Sequence, residues 1–248
     1  MSQSSPWLPR GLPRTTDRIR LFCFPHAGAG ASAYFTWHAQ LAPWLSVYPI
    51  EIPGRETRFS ERPFQSASAL AAAVMTDLRQ YLDVPFALFG HSMGALISFE
   101  LARILESAGI LPAKLFVSAR RAPHLPSTTT PVELLSDDQL LSDLRTLGGV
   151  PETALANLEW QQLALPLIRS DFALNDNYLW TGGALLHTDI AAMCGTNDPH
   201  VSIEQVSAWS SHTMRRFSLN VIRGDHFFVK SAPASVFEII RRELGLPS

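Results

Sequence analysis

The chain has 248 residues, 46% of them hydrophobic and 17% charged, enough apolar material to fill one large core, so a single domain over 1–248 is expected. A formal net charge of −2 with no long run of lysine or arginine gives no sequence-wide electrostatic reason to bind nucleic acid or an anionic membrane. The polar stretch Met1 to Thr16 lacks the apolar centre of a signal peptide, and no segment approaches the roughly 18 uninterrupted apolar residues of a membrane span, so a soluble, cytoplasmic protein is expected.

The first strand signal is Ile19 to Pro25, which ends in the small-residue turn His26-Ala27-Gly28-Ala29-Gly30. Helix-compatible sequence over Ala33 to Leu45 precedes a second strand, Val47 to Ile52, closed by Pro53-Gly54. Ser66 to Leu82 has apolar residues at helical spacing, Pro85 to Phe89 reads as a strand, and Gly94 to Ser107 resumes the helical pattern. Leu115 to Ser118, Ile190 to Cys194 and Leu219 to Ile222 look like later strands, and Val236 to Leu244 like a closing helix. Strands alternating with helices predict an α/β fold, a mostly parallel sheet covered on both faces. The stretch from about 124 to 182 breaks the alternation and reads as a helical insertion. Within it, Ser136-Asp137-Asp138-Gln139 has capping-box spacing, Leu140, Leu144 and Leu147 share one helical face, and Gly148-Gly149 stops the helix. Ser127-Thr128-Thr129-Thr130 reads as a surface loop. The two cysteines, Cys23 and Cys194, fall inside strand-like runs and are expected to be buried thiols.

Gly90-His91-Ser92-Met93-Gly94 fits G-x-S-x-G, with a buried-type strand running in and a small-residue helix running out, the strand–turn–helix of a nucleophile elbow. Such a serine needs a base within hydrogen-bond reach, and the base needs an orienting carboxylate. In an α/β-hydrolase these follow the serine in the order acid, then histidine, which sets aside His26, His38 and His91. Of His187, His200, His212 and His226, only His226 follows a late strand in a short glycine-containing loop, Arg223 to Phe228. Asp198 follows the strand Ile190 to Cys194 and is the carboxylate of choice. Asp225, adjacent to the histidine, suits a turn contact better, and Asp176 and Asp171 remain distant alternatives. The oxyanion formed on attack needs preorganised donors, for which the backbone N–H groups of Met93 and Ala27 are the candidates. The run Gly28 to Ala33 lacks the last glycine of a dinucleotide-binding turn.

Taken together, Phe24-Pro25-His26-Ala27-Gly28, Pro53-Gly54-Arg55-Glu56-Thr57-Arg58, Gly90-His91-Ser92-Met93-Gly94-Ala95, Arg169-Ser170-Asp171-Phe172, Gly195-Thr196-Asn197-Asp198 and Gly224-Asp225-His226-Phe227-Phe228 resemble the ordered motifs of type II thioesterases, the stand-alone enzymes that serve polyketide and non-ribosomal peptide synthases. The resemblance implies an α/β-hydrolase fold and hydrolysis of acyl thioesters from the phosphopantetheine arm of acyl or peptidyl carrier protein domains, clearing stalled or misprimed carriers. It also implies that the insertion is a mobile helical lid. No metal or organic cofactor is expected, since no histidine or cysteine cluster has ligand spacing. A carboxylesterase or lipase, a cyclising thioesterase and a catalytically silent binding protein are the alternatives. The acidity of carriers that the family implies calls for positive charge near the substrate entrance. Three clusters qualify: Arg55, Arg58 and Arg62; Arg215 and Arg216; and Arg120 with Arg121. The last pair is preferred as the docking patch because it follows a strand's C-terminal end.

Overall fold

The computed structural model describes residues 5–127 and 129–247. Residues 1–4 and 248 at the ends of the expected domain, and Thr128 of the expected surface loop, lie outside the described residues. Six strands, β1 (Arg20–Phe24), β2 (Ser46–Pro49), β3 (Phe86–His91), β4 (Lys114–Ser118), β5 (Ile190–Gly195) and β6 (Phe217–Ile222), form one sheet in the order β2-β1-β3-β4-β5-β6. All five pairings are parallel. Side chains of a strand alternate between faces, and both faces here are apolar. Leu21 and Cys23 point into one core cluster with Phe89, Phe116 and Met193, while Phe22 and Phe24 join the other with Leu88, Val117 and Cys194. That is why the strands read as nearly continuous hydrophobic runs.

Nine α-helices are assigned among the described residues: α1 (Trp37–Leu41), α2 (Ala67–Leu78), α3 (Met93–Ser107), α4 (Asp137–Leu147), α5 (Glu152–Leu155), α6 (Leu158–Asp176), α7 (Ile203–Ser207), α8 (Phe228–Ser231) and α9 (Pro233–Glu243). Helices α1 and α9 cover the face of Leu21 and Cys23, and α2 and α3 that of Phe22 and Phe24. None of these helices is long and apolar enough to cross a membrane.

The helix expected over Ala33 to Leu45 is instead a 3₁₀ turn, Ala31–Tyr34, followed by the short α1. Pro43 explains the early stop, because the residue before a proline is pushed out of the helical region, and Ala42 is extended at ψ 156°. Two short helices escaped the sequence reading. α7, behind a Ser202–Gln205 capping box, and α8 each make little more than one turn, too short to show a period.

Between β4 and β5 the chain leaves the sheet and builds α4, α5 and α6, whose apolar faces meet in a separate cluster of Val132, Leu140, Leu141, Leu144, Leu155, Leu165 and Ile168. The Ser136 capping box forms: Ser136 Oγ accepts from Gln139 N and Gln139 Oε1 accepts from Ser136 N.

The strand order has one consequence for function. From β1 the chain steps outward to β2 and then returns across β1 to β3, so the loops after β1 and β3 leave the sheet side by side and diverge. A crevice opens at such a switch point, outside the carboxyl ends of the strands. The turn His26–Gly30 stands on one side of it and Ser92 on the other.

Candidate active site

Ser92 sits between the end of β3 and the start of α3 with φ +54° and ψ −115°, a left-handed conformation that L-residues adopt only under constraint. The constraint is steric. A Cβ on Gly90 would lie 2.0 Å from the Gly94 carbonyl oxygen, and one on Gly94 would lie 2.1 Å from that of Phe24. Bulk at either position would force the elbow apart from itself or from β1. Ser92 N donates to Ser118 O at 2.8 Å, which ties the turn to β4.

The loops after β5 and β6 are laced together at the same edge of the sheet. Thr196 N donates to Ile222 O and Asn197 N to Gly224 O, both at 2.9 Å, and a Cβ on Gly195 would strike the Asp225 carbonyl oxygen at 2.4 Å. This lacing brings Asp198 under His226, with 2.7 Å between Asp198 Oδ2 and His226 Nδ1. The other carboxylate oxygen, Oδ1, accepts from His200 N at 2.9 Å and Val201 N at 3.2 Å. Asp198 is therefore an acceptor on both oxygens, which makes Nδ1 the protonated nitrogen of His226 and leaves Nε2 with the free lone pair. Both side chains are cut off from solvent, Asp198 completely. Asp225 makes the turn contact expected of it, accepting from Phe227 N at 2.8 Å.

Aromatic rings wall the imidazole. Phe227 stands edge-on to His226 at 5.2 Å between ring centroids and His91 lies at 5.3 Å. His91 is fully buried and its Nδ1 lies 2.9 Å from Ser118 Oγ. Burial first, and the neighbouring His226 and His26 second, hold its pKa well below the ordinary histidine value. His26 is pushed down to about 3, again chiefly by burial, with Lys230, His226 and Arg55 adding to the effect. His226 thus stands beside two imidazoles that stay neutral at pH 7. Ser92, His226, His26, Ala27 and His200 line one cavity at the switch point. Among the described residues, neither Ala27 N–H nor Met93 N–H donates to a protein acceptor, so both are free to serve a ligand oxygen.

The remaining histidines lie elsewhere. His187 N donates to Glu106 Oε2 at 2.7 Å, and His212 Nε2 lies 2.7 Å from His124 Nδ1.

Of the alternative carboxylates, Asp176 accepts from Val132 N, while Asp171 is the bidentate partner of Arg55, with 2.8 Å in each bond. The docking patch needs correction. Arg120 is only 7% exposed; its guanidinium donates to Asn175 Oδ1 on α6, and together with the half-buried Arg121 it lines the Ser92 cavity. The inserted helices cover the strand end that the sequence reading left open. Arg55 and Arg58 are buried too, and Arg215 and Arg216 precede β6, at the opposite edge of the sheet from Ser92. Among the described residues, no group of three His, Cys, Asp or Glu side chains is placed to hold a metal ion.

Comparison with known proteins agrees with this architecture. The family model of the thioesterase domain matches residues 19–244. The chain is 36% identical to the gramicidin S biosynthesis protein GrsT of Aneurinibacillus migulanus, over 99% of this chain and 96% of that protein. Among solved structures, the type II thioesterase BorB from the borrelidin biosynthetic cluster is 39% identical with a TM-score of 0.89, covering 98% of this chain and 100% of BorB. YbtT, the type II thioesterase from the yersiniabactin NRPS/PKS pathway, is 33% identical with a TM-score of 0.84, covering 94% of this chain and 95% of YbtT. With its parallel sheet, its elbow and these relatives along nearly its whole length, the chain belongs to the thioesterase family and is an α/β-hydrolase of the type II thioesterase kind.

Proposed function

We propose that the protein is a serine thioesterase that removes acyl groups from the phosphopantetheine arms of acyl or peptidyl carrier proteins, with Ser92 as nucleophile, His226 as general base and Asp198 as the carboxylate that orients it. The observation that carries this reading is the bond from Asp198 to His226 Nδ1 beside a strained serine in the same cavity. His226 Nε2 takes the Ser92 proton as Oγ attacks the thioester carbon, and the imidazolium that forms is stabilised by Asp198. The oxyanion is received by the N–H groups of Ala27 and Met93, donors of a kind worth a few kcal/mol each in the transition state. As the intermediate collapses, the imidazolium gives this proton to the sulfur, the carrier leaves as its thiol, and His226 is neutral again. With a pKa of about 8.5 the thiol is a better leaving group than an alcohol, so the demanding tasks are making the nucleophile and holding the oxyanion. Water deprotonated by His226 completes hydrolysis of the acyl-enzyme. Each step is assigned to a protein group, so the mechanism calls for no metal or organic cofactor.

The carrier as partner is supported by the company the relatives keep, since their names place them in peptide and polyketide biosynthesis. The inserted helices α4 to α6, lying over the Ser92 cavity, act as its lid, and Arg121 is the member of the expected docking pair with exposure to offer a carrier. The cytoplasm is the compartment proposed, in keeping with two buried free thiols. Ser92→Ala tests the whole reading. Alanine fits the elbow, so the variant should fold, lose hydrolysis of an acyl-carrier substrate and lose labelling by a fluorophosphonate. Turnover near the wild-type rate, or label mapped to another serine, refutes the assignment.

A further inference from the structure

We propose that Asp171, on helix α6 of the lid, is a positioning residue for the turn that carries the Ala27 oxyanion donor, so that the turn is held in its working shape by the lid. The inference rests on the proposed serine mechanism and adds to it a residue 79 positions beyond the nucleophile in sequence.

Asp171 is 2% exposed, and every hydrogen bond its carboxylate receives comes from the body of the protein rather than from the lid. Its Oδ1 accepts from Arg55 Nη2 at 2.8 Å; its Oδ2 accepts both from Arg55 Nη1 at 2.8 Å and from the backbone N–H of Gly28 at 2.7 Å. Arg55 Nη1 also donates to the Ala29 carbonyl at 2.9 Å. Carboxylate and guanidinium therefore grip the turn from two sides, one through an N–H and one through a C=O. The turn itself is short of internal support, having the single bond from Ala29 N to His26 O at 3.0 Å.

Gly28 is the point of contact. Its φ is +75°, and a Cβ there would lie 3.1 Å from Ile168 Cγ1, so α6 packs on the turn as tightly as glycine allows. Ile168 and Asp171 are three residues apart and share one face of α6. The peptide whose N–H Asp171 accepts joins Ala27 to Gly28. Fixing that peptide anchors the Cα of Ala27 from one side, and so restrains the neighbouring His26–Ala27 peptide that carries the Ala27 N–H at the cavity. The charge on Arg55 has no other carboxylate within salt-bridge distance among the described residues. The pair is thus a buried ion pair between the loop after β2 and the lid, and lifting α6 would take away the acceptor that aims the turn.

The test uses full-length protein and a small acyl thioester, acyl-N-acetylcysteamine, that needs no carrier docking. In Asp171→Ala, kcat should fall on the order of 10- to 100-fold, the scale of misplacing a catalytic group by about an ångström, with KM within about threefold of wild type. The Ki of a trifluoromethyl ketone, which captures the serine as an oxyanion, should rise by the same factor. Asp171→Asn keeps an oxygen for Gly28 N and should recover most of both losses. A folded Asp171→Ala enzyme with wild-type kcat, or one that loses kcat while its ketone Ki stays put, overturns the proposal. Where Asp171→Ala fails to fold, the double variant Arg55→Met/Asp171→Leu, which leaves neither an unpaired buried charge nor an acceptor for Gly28 N, is measured instead. Loss of kcat and ketone affinity in parallel supports the proposal there, and a change in thermal stability alone refutes it. Failure of the serine mechanism itself has a different signature, activity in Ser92→Ala.

Discussion

The parallel sheet and the lid are built from the same residue types but are held in place by different forces. Strands β1, β3, β4 and β5 are buried along their whole length, and the two clusters on either face of the sheet run through it without a break. The lid has a smaller apolar cluster of its own; it is joined to the body by Leu174 of α6, which sits in the sheet's core, and by polar links: Arg55 to Asp171, Arg120 to Asn175, Tyr178 to Glu100 and Lys230 to the Gly149 carbonyl. Apolar burial is non-directional and grows with area, so it supplies the stability of the sheet. Hydrogen bonds and ion pairs contribute less net energy but demand one geometry. The difference teaches where each property resides: the body keeps the reacting groups in place, and the proposed lid is set on it in a particular position.

The largest effect is expected where the body alone does the work. Asp198→Asn should leave the fold intact while lowering kcat by about 10⁴-fold, because an amide at that place favours the wrong tautomer of His226. Asp225→Asn, which alters only the turn contact to Phe227 N, should change kcat little. The reverse outcome would move the acid to Asp225.

A second test weighs the two apolar clusters against each other. Phe116 is fully buried in β4, and Phe116→Ala should cost about 3–5 kcal/mol of global stability, read from the denaturation midpoint. Leu140, 1% exposed in α4, is as well buried, yet Leu140→Ala should appear mainly as faster proteolysis within the lid. An equal shift of the global midpoint in both variants would show that lid and body unfold as one unit.

The body was the more legible of the two in sequence. A buried parallel strand is a short apolar run bounded by turn residues, and the glycines that flank Ser92 announce a turn with no room for a Cβ. Asp198 and His226 could be paired from sequence because chain order and strand ends restrict the choice, and the structure brings the two side chains into contact. Arg55 and Asp171 lie 116 residues apart, and nothing local to either predicts their contact. Arg120 misled for a related reason. An arginine after a strand looks exposed until another part of the chain covers it, and the covering helix contributes its acceptor from Asn175. Helices α7 and α8 were too short to register a period, although the Ser202–Gln205 spacing was a signal that could have found the first.

Acid should act on the body before the lid. His26 is held down to about 3 and His212 to about 4, both chiefly by burial, and burial also lowers His91; all three sit in the body. A folded-state pKa depressed below the unfolded value of about 6.5 means that the unfolded chain binds more protons between the two values. Stability is therefore complete above pH 6.5 and declines as pH falls, by roughly 1.4 kcal/mol per pH unit for each such histidine until it protonates. Chemical denaturation at pH 7.5 and pH 5 should show the loss, and His212→Phe should reduce the difference. A midpoint that does not move between these pH values would mean that the imidazoles are not neutral in the folded protein.

The smallest effect gives the cleanest comparison, because the same motif occurs once on each side. Ser136 caps α4 in the lid and Ser202 caps α7 in the body, each by accepting from the backbone N–H three residues on at 3.2 Å, with a glutamine returning to the serine's own N–H. Replacing either serine by alanine removes one acceptor from a helix start and should cost about 0.5–2 kcal/mol of local stability. The two costs should surface differently. Helix α7 follows directly on the Asp198 loop and packs Val206 into the sheet's core, so Ser202→Ala should shift the global denaturation midpoint by nearly its full local cost. Helix α4 packs in the separate lid cluster, so Ser136→Ala should leave that midpoint almost unmoved and instead speed amide hydrogen exchange across residues 137–147. If Ser136→Ala lowers the global midpoint as much as Ser202→Ala does, then lid opening is not separable from unfolding of the body. The coupling proposed through Asp171 would in that case run through the stability of the whole domain rather than through the position of one helix.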